Sequence, residues 1–411
     1  MTSPLGPVPL LSPIRPYAWG SRSFIASLQG RATPSETPEA ELWVGAHLGD
    51  PSEVELATGR QPLTDWLASH SEGALGAEVA SRFDAELPFL VKVLAAATPL
   101  SLQAHPSSAQ AREGFAREAA QGLALDAPER SYKDARHKPE LLAALTPFQA
   151  LCGFRPLEQT RRLFSDLNAA ELTQRLAPLS SADPSTALRA TFEGLLTAST
   201  EERTRLSRAT AERARERASY GGRFTREFLW ATRLYQLYPD DIGVTCALLL
   251  NLIELAPLQS LYLPAGNLHA YLEGAGVEIM ASSDNVLRGG LTPKPINIPE
   301  LLRVLDFAEI DPVPLAAERN EDGEHVFQTP ANEFRLSYFE LTESVTPQRS
   351  HGPEILLVTQ GLLRLESGSV KLDIPSGQAA FVPASVEKYR LSGASQVFRA
   401  IVPGLAGDGR S

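Results

Sequence analysis

The chain has 411 residues, 43% hydrophobic and 21% charged, too long for one simple core and ordinary in composition for a globular protein, so two or three structural units are expected. A formal net charge of −11 opposes broad affinity for nucleic acid or anionic lipid, while leaving room for a local cationic pocket that holds one phosphate. Two cysteines, Cys152 and Cys246, neither in a CxxC pair, argue against a disulfide framework or thiolate metal site. The N-terminus lacks a basic start followed by an apolar core, and no segment reaches about 18 uninterrupted apolar residues, so a cytoplasmic protein with no membrane partner is expected.

Up to about residue 105, short apolar runs alternate with Pro and Gly punctuation, the texture of a β-rich region with some helix. Within it LPFLVKVLAAATPLSLQAHP reads as buried strand, yet contains Lys92, Gln103 and His105. Buried polar groups cost a few kcal/mol unless partnered, so these residues call for a partner, a ligand or a function. Lys92 would otherwise titrate low or reach to the rim. Residues two apart in a strand share a face, which sets Gln103 beside His105.

YKDARHKPELL follows, with Glu140 just after a proline that disfavours a simple amphipathic helix. From 156 to 240 the spacing changes to helical: Leu188, Phe192, Leu195 and Leu196, then Phe224, Phe228, Ala231 and Tyr235, with mixed charges between that read as a solvated helix face. Beyond 241 strand texture returns. LYLPAGNLHAYL (261–272) overlays AFVPASVEKYRL (380–391), matching Pro264 with Pro383 and placing His269 where Lys388 stands. Two β units of jelly-roll type are expected, the second one structural.

His105, His269, Glu140 and Gln103 together offer two imidazoles, a carboxylate and an amide oxygen, a donor set suited to Zn²⁺ or a neighbouring first-row ion. The expected fold is mainly β with a helical insertion: two cupin-like jelly-roll units plus an α-helical domain. Residues 1–155 and 241–310 form the metal-binding unit, 156–240 the insertion, and 311–411 a cupin-like unit without a metal site.

The segments PYAWGSR, ELWVGAH, LPFLVKVL, PLSLQAHP, HKPELL, YPDDIGV, LYLPAGNLHAYLEGAGVEIMASSDNVLRGGLTPK and PELLRVLDF resemble the type I mannose-6-phosphate isomerases over most of the chain. The resemblance implies one Zn²⁺ per chain on Gln103, His105, Glu140 and His269, a sugar phosphate substrate, and Arg288 as a catalytic residue. It also implies that Lys92, Lys138, Glu278, Tyr271 and Lys294 line the pocket. A monomer is expected, and Ser107 departs from the acidic residue usual after QAHP.

The chemistry of such a reaction also has an elementary reading. Interconverting an aldose and a ketose through a cis-enediol develops negative charge on oxygen, which a metal and nearby cations stabilise. Arg288 suits that role, although from the residues alone it reads equally as a surface ion pair. Lys138 and Glu278 join it as catalytic candidates; the general base stays open among metal-bound hydroxide, Glu278, a lysine and a histidine. Ser101 and Lys92 are expected to meet substrate, with Trp19 as a sugar-facing ring. His70, His325 and His351 are expected at the surface, His47 and His137 in structural hydrogen bonds. Two other classes fit part of the pattern: a cupin-type iron oxygenase and a metal-stabilised sugar-binding module.

Overall fold

The computed structural model describes residues 5–342 and 346–405. Among these, two large antiparallel sheets, of 11 and 12 strands, carry the architecture. In the first, the long strand His269–Ala281 is the hub: it pairs with Phe89–Ala96, Leu102–Ala104, Glu140–Ala144 and Phe148–Phe154. The second is built mostly from residues after 317, but its edge is completed by Val8–Leu11, which pairs with Ala379–Val382 on one side and Glu53–Leu56 on the other.

Period-two alternation explains how a fully buried strand carries a lysine. All eight residues of Phe89–Ala96 are buried. Phe89, Val91, Val93 and Ala95 enter the core between the sheets, with Val277, Ile279, Ile355, Leu357 and Phe381. Leu90, Lys92 and Leu94 face the other way. The run that reads as one strand is in fact two, Phe89–Ala96 and Leu102–Ala104. Pro99 separates them, removing a donor that a continuous ladder would need.

The hub strand bends at a bulge between Tyr271 and Glu273, letting its two halves serve different neighbours. Gly274 there has φ +127°, and a Cβ would lie 2.6 Å from a Phe148 ring carbon and 2.8 Å from the Pro147 carbonyl oxygen. Gly274→Ala is therefore expected to cost about 2 kcal/mol or more, read as a lowered urea midpoint; an unchanged midpoint would contradict the crowding.

Four main helices, Leu157–Leu167, Pro184–Leu196, Thr200–Tyr220 and Thr225–Leu237, occupy the expected insertion. Asp183 caps the second by accepting from Thr186 N at 2.8 Å, with Pro184 at its first position. Thr200–Tyr220 buries Leu206, Thr210 and Ala214 at helical spacing and turns its charges outward. Phe192 packs edge-on to Phe154 at 5.7 Å, tying the helices to Leu102, Ala104 and Leu268 behind the QxH segment. Helix also forms outside the insertion, at Leu63–Ser69 and Ser108–Ala120. The latter starts on a capping box between Ser107 and Gln110, a local role for Ser107. Among the described residues no helix is long and apolar enough to cross a membrane.

Candidate metal centre

Cross-strand register delivers the donors. Gln103 stands opposite His269, Glu140 opposite Met280, and Lys92 opposite Glu278. Directly opposed residues share a sheet face, so one strand gathers three remote segments. His105 lies just past the end of Leu102–Ala104.

Nε2 of His105 and Nε2 of His269 each lie 3.4 Å from Glu140 Oε2. The ligand atoms of these three residues, all buried, fall within 4.8 Å of one another. The side-chain amide of Gln103 reaches 3.2 Å from His269 Nε2, and either of its ends can face inward because oxygen and nitrogen have the same shape. Backbone carbonyls take the far side of each ring: His105 Nδ1 is 2.7 Å from the Asn285 oxygen, and His269 Nδ1 is 3.1 Å from the Asn267 oxygen. Those contacts place the proton on Nδ1 and aim the Nε2 lone pairs inward, the tautomer a metal needs.

Two of the converging atoms, His105 Nε2 and Glu140 Oε2, are enclosed and make no hydrogen bond. Orphaned buried polar atoms are rare because each costs about 1–3 kcal/mol. A divalent cation would satisfy both. The protonation states agree: burial lowers the pKa of His105, favouring the neutral ring. Burial alone would raise Glu140, but Lys138 and His105 outweigh it and hold the carboxyl well below its ordinary value.

Lys138 Nζ lies 3.1 Å from Glu140 Oε1, and Lys92 Nζ lies 3.1 Å from Glu278 and 3.7 Å from Glu41. Lys92 does not titrate low, as an unpartnered buried lysine would. Burial pulls its pKa down, but Glu41, Glu278 and Glu140 carry it above the ordinary lysine value. Three carboxylates against two ammonium groups leave excess negative charge, consistent with burial raising Glu278 despite Lys92. A dication would more than offset that excess, leaving the cluster with one net positive charge.

A cavity of about 770 Å³ opens beside this cluster, with Trp19, Lys92, Ser101, Gln103, Lys138, Arg288 and Lys294 on its wall. Glu278 and Tyr271 are not on that wall. Both are buried, Glu278 against Lys92 and Tyr271 edge-on to Phe148 at 5.4 Å. Arg288 is half-buried and burial lowers its pKa. Among the described residues it makes no ion pair, which removes its reading as an ordinary surface salt bridge.

Several wall residues lie outside the expected set. Tyr17 stacks on Trp19 at 5.8 Å; Trp43 donates to Glu41 at 2.7 Å and lies 5.4 Å from Lys92 Nζ. Arg130, Lys133 and Thr292 also line the cavity. Trp43 lies within the ELWVGAH segment, but the carbonyls that orient the imidazoles have no sequence signal, since every residue carries one. His47 and His137 bond to Asp284 at 3.3 Å and Glu333 at 2.7 Å. His351 is exposed, whereas His70 and His325 are half-buried against Trp66 and Tyr338.

Residues 8–157 match the family model described as phosphomannose isomerase type I, catalytic domain. The chain is 37% identical over 404 residues to the mannose-6-phosphate isomerase of Escherichia coli strain K12, covering 95% of this chain and 98% of that protein. It is 34% identical over 406 residues to the Homo sapiens mannose-6-phosphate isomerase, covering 92% and 93%. Among solved structures, a mannose 6-phosphate isomerase bound with zinc and yttrium superposes with a TM-score of 0.87 at 34% identity, covering 97% of this chain and 100% of that one. With a likeness of that length and level, the chain belongs to the type I mannose-6-phosphate isomerase family of enzymes.

Proposed function

We propose that the protein is a zinc-dependent aldose-ketose isomerase interconverting mannose 6-phosphate and fructose 6-phosphate, with one ion held by Gln103, His105, Glu140 and His269. The carrying observation is the convergence of enclosed, unpartnered donor atoms beside a cavity lined by cations. When bound, the ion supplies Lewis-acid stabilisation of negative charge on the sugar oxygens.

The protein's own groups supply the rest. Arg288, with no carboxylate partner among the described residues, is free to bind an oxygen that gains charge as a cis-enediol forms. Lys138 and Lys92, each paired to a carboxylate, keep ammonium donors on the wall, and Ser101 and Lys294 add donors for a phosphorylated sugar. Trp19 offers an aromatic face to the ring. Glu278, raised by burial and in contact with Lys92, acts through that lysine as a positioning residue, and Tyr271 braces the strand beneath.

We assign the architecture to two cupin-like units, 1–155 with 241–310 and 311–411, with the helical insertion 156–240 bracing the back of the metal-bearing segment. The test is a coupled assay from mannose 6-phosphate to fructose 6-phosphate. Turnover is expected from metal-loaded protein, falling at least about a hundredfold after chelation and returning with Zn²⁺. Activity that survives complete metal removal would overturn the reading; an oxygenase or a binding module would give no fructose 6-phosphate at any loading.

A further inference from the structure

The two carbonyls that orient the imidazoles differ in origin. That of Asn267 belongs to the turn leading directly into His269, whereas that of Asn285 comes from a loop 180 positions away from His105. A carbonyl carried on a loop orients a ring only as firmly as the loop is held. The demand is strict here, because among the described residues the Asn285 contact is the one hydrogen bond of the His105 ring; its Nε2 has none.

The Asn285 side chain, fully buried, does the holding. Its Oδ1 accepts from the backbone N of Lys133 at 2.7 Å and of Asp134 at 3.3 Å. Its Nδ2 donates to the Asp134 carbonyl at 2.9 Å, the Asp134 carboxylate at 3.1 Å and the Arg136 carbonyl at 2.8 Å. Both ends of the amide are thus bonded within 133–136, which fixes the way it faces. Asp134 closes the clasp from the other side, accepting from Ser283 Oγ at 2.9 Å and from Asp284 N at 2.8 Å. Ser283 Oγ in turn accepts from Asn285 N at 3.3 Å.

The clasped stretch runs straight on to Lys138 and Glu140. One buried amide therefore joins the loop that orients a ligand imidazole to the segment that delivers the ligand carboxylate. Because the amide and the orienting carbonyl sit on the same residue, loosening the first displaces the second.

We propose that Asn285 is a positioning residue of the metal centre: its side chain, locked to Asp134 and Arg136, holds its own carbonyl against His105 Nδ1 and so sets how tightly the ion is bound. This rests on the four-residue ligand set proposed for that ion.

The test uses full-length protein loaded with Zn²⁺ or, separately, with Co²⁺, whose visible absorption reports ligand geometry. Partition of Zn²⁺ between the loaded protein and a chromophoric chelator gives the affinity, well below the unfolding temperature. Asn285→Ala is expected to weaken Zn²⁺ about 10–100-fold and to alter the cobalt spectrum. Thr210→Val is the stability control: it removes a buried hydroxyl bonded to Thr245 at 2.8 Å within the helices, and Thr210 does not line the substrate cavity. It should lower the unfolding temperature yet leave affinity and spectrum unchanged. If Asn285→Ala does not fold by circular dichroism, Ser283→Ala replaces it. That variant loses only the hydroxyl between Asp134 and Asn285, and a roughly threefold weakening is expected. Unchanged affinity and spectrum in the folded variant, or an equal loss in Thr210→Val, would overturn the proposal and leave the ligand set standing. Wild type that takes up no Co²⁺ would overturn the ligand set, and the proposal with it.

Discussion

His269→Ala and Glu140→Gln are each expected to strip the metal and reduce turnover at least about a hundredfold, since disturbing even the groups that orient a ligand typically costs 10–100-fold. Metal content by plasma mass spectrometry and the coupled rate are the two measurements. Full metal occupancy in both variants would remove these residues from the ligand set. The two substitutions differ in their effect on the fold. Glu140 neutralises Lys138 at 3.1 Å, and Lys138 is 7% exposed. Losing that carboxylate leaves a buried ammonium short of its partner, which costs about 3–5 kcal/mol when no water or ion replaces it. His269 sits at the start of its strand, and its polar contacts are the Asn267 carbonyl, Gln103 and Glu140, none of them a buried cation that its loss would leave unpaired. His269→Ala should therefore lose metal with the smaller fall in stability, making it the cleaner test.

The second large effect is expected at Arg288. Arg288→Ala should lower kcat about 10²–10³-fold while changing KM only a few-fold, the pattern of an interaction made mainly in the transition state. Arg288→Lys should recover part of the loss, because a point charge replaces the planar fork. Stability provides the control: among the described residues Arg288 has no ion pair to lose, and its burial already disfavours the charge. An unchanged unfolding temperature with a collapsed kcat places the effect in the reaction. An unchanged kcat takes Arg288 out of it.

Particular elements indicate how much was legible beforehand. Helical spacing at Leu188, Phe192, Leu195 and Leu196 corresponds to one buried helix face, because amphipathic periodicity is a local property of the chain. The strand, proline turn and strand around His269 follow from the same kind of local signal. Lys92 illustrates the opposite case. A lysine in an apolar run announces a problem but not its solution, and the partners Glu41 and Glu278 come from strands on either side. Its raised pKa could not be inferred without them. Glu278 and Tyr271 fell within a recognisable motif, yet their depth behind the wall depends on which face the hub strand turns inward. Wall residues such as Arg130 and Thr292 come from loops, where no periodicity exists to read.

Residue types and their order along the chain determined that this protein would be β-rich with helices gathered between residues 157 and 237, and that two imidazoles, a carboxylate and an amide were available to a hard or borderline cation. Propensity, periodicity and donor chemistry all act within a few residues, so they survive in one dimension. Convergence does not. Only the register of His269–Ala281 against four other strands brought Gln103, Glu140 and Lys92 to one place, left His105 Nε2 and Glu140 Oε2 without partners, and set three carboxylates against two lysines. Around this site, pairing energy, burial and charge balance are sums over neighbours as far apart in the chain as Lys92 and Glu278, 186 positions, and the folded sheet alone decides which neighbours those are.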